Sequence, residues 1–318
     1  MHRMFRLLAL AASVLFLAGC AALAPLVPQT YALRTGWPQG VPERAELASV
    51  PFFPQQDYQC GPAALATVLA YTGVRVGPDA LVDQVWLPAR KGSLQLEMLA
   101  TPRTHARVSY RLAPSFADVL REVAAGNPVI VLQDVGPVLT QWHYAVVNGF
   151  DYASGSIYLR SGTEPRKEMS FTAFERSWIK GGYWAMVVVP PNRVAATATE
   201  DRWIESVLAV ARASDGETAR QAYAATLRRW PDNLAASIGL ANQLHAAGAL
   251  TEAADVLRVA LERHPQSVIA MNNLAQTLSD QGQHREALQQ IDKAMDAAGP
   301  FASEVRATRA LILQRMGK

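Results

Sequence analysis

The chain has 318 residues, half of them apolar and 18% charged, with a formal net charge of +3. That is room for two domains of ordinary size, in a composition too apolar for a disordered chain. So small a charge excludes the basic field that nucleic-acid binders present, and neither metal-ligand spacings nor a glycine-rich phosphate loop occurs, so no nucleic acid, metal or cofactor is expected.

Residues 1–19 read as a signal peptide. His2, Arg3 and Arg6 form a short basic region, and Leu7 to Leu17 is almost wholly apolar. Eleven residues, ten of them apolar, are too few to span a hydrocarbon core of about 30 Å. The segment ends in Leu17-Ala18-Gly19-Cys20, which resembles the lipobox of bacterial lipoproteins. The resemblance implies removal of the signal, acylation of Cys20 and, because Ala21 is not Asp, an outer-membrane anchor facing the periplasm. Residues 20–45, with Pro25, Pro28, Pro38 and Pro42, show no sustained period and predict a tether.

A domain of mixed pattern follows over 46–192. Its helix candidates are Gly61 to Thr72, Pro78 to Leu87, Ser93 to Leu99 and Ser115 to Ala124. Strand candidates are Pro128 to Leu132, Tyr144 to Phe150, Ser156 to Leu159 and Gly182 to Val189, with Ala153-Ser154-Gly155 as a hairpin turn. Helices before an antiparallel sheet make an α+β order. Pro190-Pro191-Asn192 closes the domain, and 193–200 reads as a small-residue linker.

Over 201–318 a period of 34 residues appears. It relates Pro231 to Pro265, Gly248 to Gly282, Leu240 to Leu274, Glu252 to Glu286 and Ala253 to Ala287. Length and retained positions resemble the tetratricopeptide repeat. Small residues let two helices approach, glycine turns the chain, proline ends the second helix, and each hairpin leaves apolar surface for its neighbour. A degenerate earlier copy carries Trp203, Ala219, Tyr223 and Pro231, and Ser303 to Met316 reads as a capping helix.

The chain has two cysteines, and the lipobox uses Cys20. Cys60 is then a lone thiol in an oxidising compartment, where paired cysteines are the norm. It stands where the polar segment Gln55-Gln56-Asp57-Tyr58-Gln59 meets the apolar helix beginning Gly61-Pro62-Ala63-Ala64-Leu65. A helix N-terminus offers free N–H groups and partial positive charge, which favour a thiolate. Gly61 would admit a substrate backbone, and Pro62 suits the first helical turn. His143, 83 residues on, opens the strand Tyr144 to Asp151 and is the base candidate. His105, in the polar stretch Thr101 to Arg107, reads as surface.

Gln-x-x-x-x-Cys-Gly-Pro-Ala-Ala-Leu followed by His-Tyr-Ala-Val-Val-x-Gly-Phe-Asp resembles the C39 peptidase family, papain-like domains that trim double-glycine leader peptides. The resemblance covers roughly residues 46 to 190. It implies an α+β papain-like cysteine peptidase domain followed by an all-α repeat solenoid, acting on a peptide or protein substrate while the repeats recruit a protein partner. It makes Cys60 the nucleophile, His143 the base and acid, and Gln55 the oxyanion amide, with Gln56 as its competitor. The family's third residue, an Asp or Asn after the histidine, has no counterpart here. In Tyr158-Leu159-Arg160-Ser161-Gly162-Thr163, Ser161 falls nearest, and Asp151 is better read as a hairpin cap. A hydroxyl stabilises an imidazolium less than a carboxylate does, so the alternative function is a catalytically weak or inactive binding module on the same fold, or a scaffold for envelope machinery. Trp142 and Asp134 read as structural.

Overall fold

The computed structural model describes residues 27–54, 59–87, 92–297 and 299–317. Cys20, Gln55 and Gln56 lie outside them. One mixed-length antiparallel sheet organises the first domain, in the order β4 (Val108–Arg111), β9 (Ala185–Val189), β5 (Val129–Asp134), β6 (Trp142–Asp151), β7 (Ser156–Ser161), β8 (Glu164–Ser170). A short β1 (Arg44–Glu46) pairs with β6 opposite Gly149–Asp151, beyond the point where β5 stops at Val147.

The two-residue period of a strand divides the apolar side chains between two cores. Val129, Val131, Ala145, Val147, Ala185 and Val187 face one side, while Ile130, Leu132, Tyr144, Val146, Met186 and Val188 face the other. The second side is covered by α2 (Cys60–Tyr71), α3 (Val82–Val85) and α4 (Gln95–Thr104), with a two-stranded hairpin of β2 (Trp86–Leu87) and β3 (Gly92–Ser93). Helix α2 has no polar face: nine of its twelve residues are buried, which is why its sequence is apolar without amphipathic spacing. The first side carries α1 (Pro28–Thr35), α5 (Phe116–Ala124) and α6 (Phe171–Trp178).

Over its described residues, 27–45, the expected tether is corrected by α1 and β1. Glu175, buried on α6, accepts from the N–H groups of Gln29 (3.0 Å) and Thr30 (2.6 Å), the open N-terminus of α1. The partner lies 145 residues away, so nothing local in a proline-punctuated stretch announces the helix. The expected helix over Pro78 to Leu87 is also broken, into a 3-10 turn, α3 and β2, and that over Ser93 to Leu99 starts at Gln95 and runs to Thr104.

The repeats form seven helices: α7 (Glu200–Ala213), α8 (Gly216–Arg229), α9 (Leu234–Ala246), α10 (Leu250–Arg263), α11 (Val268–Asp280), α12 (His284–Asp296) and α13 (Ala302–Met316). Gly248 and Gly282 take φ of +77° and +79° where the hairpins turn, a conformation that favours glycine. The solenoid is built onto the sheet. Trp203 of α7 is fully buried in the same core as the strands, 5.8 Å from the Tyr110 ring of edge strand β4, and Arg202 donates to the Arg111 carbonyl. An edge that could pair with another chain is thereby covered.

Residues 193–200 join the two parts under restraint. Glu122, fully buried on α5, accepts from Asn127 Nδ2, the Ala196 and Thr197 N–H groups and the Thr197 hydroxyl. Glu122→Gln sets an amide N–H₂ against one of these donor pairs. A loss of about 1–3 kcal/mol is expected, read as a lower urea midpoint with an unchanged slope.

Candidate active site

Cys60 is the first residue of α2, and its side chain is partly buried against the core beneath that helix. Gln59 gives no side-chain cap, so the first-turn donors stay available. The Cys60 and Gly61 N–H groups, with that of Tyr144 from β6, hydrogen-bond the sulfur and favour its thiolate. Burial outweighs them and pushes the thiol above its ordinary value. The space beside Gly61 is filled from within: a Cβ there would stand 2.1 Å from Ser93 Oγ. The glycine therefore admits β3 and not, as expected, a substrate backbone.

His143 lies on β6 opposite Gln133 of β5. Its Nε2 is 2.9 Å from Ser161 Oγ at the end of β7, and Ser161 is buried. Nε2 is thus engaged and Nδ1 is the nitrogen left for a proton. Burial, and then the positive charge of Lys167 on β8, depress His143 to about 4. No hydrogen bond joins Cys60 to His143 among the described residues, although Tyr144, the next residue after His143, touches the sulfur. At neutral pH the resting pair is a thiol and a neutral imidazole.

The depressed histidine ties stability to pH. Between its ordinary value near 6.5 and about 4 the unfolded chain binds the proton and the folded chain does not. Stability is therefore full above about pH 6.5 and falls as pH drops toward 4, by on the order of 3 kcal/mol. Urea midpoints across that window should show the loss, and His143→Gln should flatten it.

The other candidates separate clearly. Asp134 is structural as expected: it accepts from the Gly136 and Gln141 N–H groups and from Lys180 Nζ at 3.1 Å. These contacts hold its carboxyl below the usual range. Asp151 caps the β6–β7 turn through the Ser154 N–H. Trp142 departs from expectation, since it is 52% exposed beside His143 and does not pack in the core. His105 is partly buried, with Nε2 enclosed and unpartnered, so it is not a surface residue. Lys167 and Arg160 were not legible as site neighbours. Lys167 sits on a polar edge strand without alternation, and Arg160 fastens the carbonyls of Ala48 and Val50, before the Cys60 segment, to β7.

A family model described as "Peptidase_C39 like family" matches residues 47–186, and two tetratricopeptide-repeat models match 205–268 and 244–312. The chain pairs a C39-like peptidase domain with tetratricopeptide repeats. Among solved structures, the C39-like domain resembles a C39-like peptidase from Bacillus anthracis, at 19% identity and TM-score 0.40, over 46% of this chain and 98% of that one. It also resembles the peptidase domain of Streptococcus ComA, a bifunctional ABC transporter involved in a quorum-sensing pathway, at 21% identity and TM-score 0.37, over 44% and 98%. The repeats resemble the TPR2B domain of yeast Sti1 in its complex with pHsp70, at 21% identity and TM-score 0.35, over 36% and 97%. No curated protein matches the chain. Within the C39-like domain Cys60, His143 and Ser161 come to one end of the sheet, where α2 begins, β6 begins and β7 ends. Among the described residues no cluster could hold a metal ion, and no helix is long and apolar enough to cross a membrane.

Proposed function

We propose that the chain is a thiol hydrolase that cleaves peptide bonds, anchored by a lipid on Cys20 to the outer membrane and facing the periplasm. The repeats recruit the protein substrate or a partner. The observation that carries the reading is a cysteine at a helix N-terminus whose sulfur is hydrogen-bonded by Tyr144, the neighbour of a histidine whose Nε2 is held by Ser161. The Cys60 sulfur attacks the carbonyl carbon as its proton passes to His143 Nδ1, while Nε2–H donates to Ser161 Oγ. The Cys60 N–H and the Gln55 amide take the oxyanion. The C–N bond breaks as His143 returns the proton to the leaving amine. Water then hydrolyses the thioester, releasing the acid and restoring the thiol.

Cys60→Ala should abolish hydrolysis of a peptide library by the full chain and its labelling by iodoacetamide. A wild-type chain that neither cleaves nor labels near neutral pH would defeat the reading. A second reading, a peptide-binding module on the same fold, is favoured by the raised thiol, the depressed histidine and the missing bond between them. A Cys60 pKa still above that of a free thiol, ~8.5, with bound peptide and no cleavage, would establish it.

A further inference from the structure

The turn between β5 and β6 is held rigid and is apolar at its tip. Asp134 Oδ1 accepts from the N–H groups of Gly136 (3.0 Å) and Gln141 (2.8 Å), Lys180 secures its other oxygen, and Val135 donates to the Gln141 carbonyl. Gly136 closes the turn so tightly that a Cβ would stand 1.7 Å from the Leu139 oxygen. On this frame Val138 is 91% and Leu139 82% exposed, with the half-exposed Trp142 at the base. Aliphatic side chains displayed together by an ordered turn call for something to cover them. Exposure this complete describes a convex tip. A pocket gripping one substrate side chain would shield its own walls.

The N-terminal end of the described fold lies at the same end of the molecule. Gln29 donates to the Pro114 carbonyl and accepts from the Phe116 N–H, and Pro114 follows β4 where β9 begins. β9 begins opposite Val131, three residues before Asp134. From the other side, Glu175 holds Gln29 and Thr30, and five residues further on Lys180 holds Asp134. Those five residues of helical chain span about 8–10 Å. The seven residues 21–27 separate Cys20 from α1 and reach at most about 25 Å.

We propose that the Gly136–Leu139 turn is a membrane-contacting tip, with Val138 and Leu139 entering the acyl region of the leaflet that carries the Cys20 lipid. Trp142 then lies at headgroup level, as interfacial aromatics do. The end of the sheet that carries Cys60 and His143 then faces the lipid surface, so the substrate is a peptide segment close to the membrane. The inference rests on the anchored-hydrolase reading.

The test uses the full chain in phosphatidylethanolamine–phosphatidylglycerol vesicles, with and without bromine on the acyl chains, and tryptophan emission as the readout. Bromine should quench part of the wild-type emission, and Trp142→Phe should remove that quenched part. Val138→Asp with Leu139→Asp should cut the quenching several-fold while iodoacetamide labelling of Cys60 in detergent is unchanged. Equal quenching in the wild type and the double variant, or none in either, would overturn the contact. So would a double variant that loses cleavage of a soluble peptide while the wild type shows no quenching, since the turn would then serve the substrate. The mass of the Cys20 peptide reports the anchor separately: an unmodified Cys20 ends the anchoring reading, and quenching on added vesicles still decides the turn.

Discussion

His143→Ala is expected to slow peptide hydrolysis by about 10²–10⁴-fold. The size follows from the resting state of the pair. A free thiol with a pKa of ~8.5 is about 3% ionised at pH 7, and burial holds Cys60 above its ordinary value, so even less thiolate forms unaided. Three backbone N–H groups favour the anion without producing it, and a base must take the proton during attack. In the proposed mechanism neutral His143 is that base, acting through Nδ1 while Nε2 is engaged by Ser161. Ser161→Ala should cost less, about ten-fold, because a neutral hydroxyl orients the ring without stabilising its charge. Single-turnover rates at neutral pH check both. An equal loss in the two variants would mean that Ser161 does more than orient.

Trp203→Ala is expected to destabilise the whole chain by about 3–5 kcal/mol. The indole is fully buried, packs on Tyr110 of the C39-like domain and donates from Nε1 to Thr226 of the first repeat. Thr199 and Arg202 add hydrogen bonds to Tyr110 and Arg111 from the same helix start. With the interface intact, the two parts should unfold together in urea. After Trp203→Ala, tryptophan fluorescence and far-UV circular dichroism should report separate transitions, the peptidase-side aromatics on one and the helical repeats on the other. A variant that still unfolds in a single coincident transition would show that Trp203 does not couple them.

The legible parts of the fold are those whose signal is local and periodic. Tyr144 to Phe150 and Ser156 to Leu159 lie within strands, and Pro128 to Leu132 overlaps one that starts a residue later, because these apolar runs are long enough to stand alone; the 34-residue offset carried the repeats. Two of the failures share one cause, partners far away in sequence. Helix α1 depends on Glu175, and the linker's restraint depends on Glu122 of α5. Strand β8, Glu-Pro-Arg-Lys-Glu-Met-Ser, is an exposed edge and so has no apolar face to betray it. At the candidate site, the motifs pointed to Cys60 and His143, and Ser161 was reachable by counting along the next strand. Burial was not: the raised thiol, the depressed imidazole and the cation at Lys167 exist only once β6, β7 and β8 are side by side.

Intact-protein mass spectrometry during reaction with a peptide thioester tests Cys60 as a hydrolytic nucleophile most directly. The wild-type chain should gain one acyl group on Cys60 and lose it again as free acid accumulates, while His143→Ala should acylate slowly and keep the adduct. A wild-type chain that never gains the acyl group, or gains it and never releases it, would contradict a working thiol hydrolase.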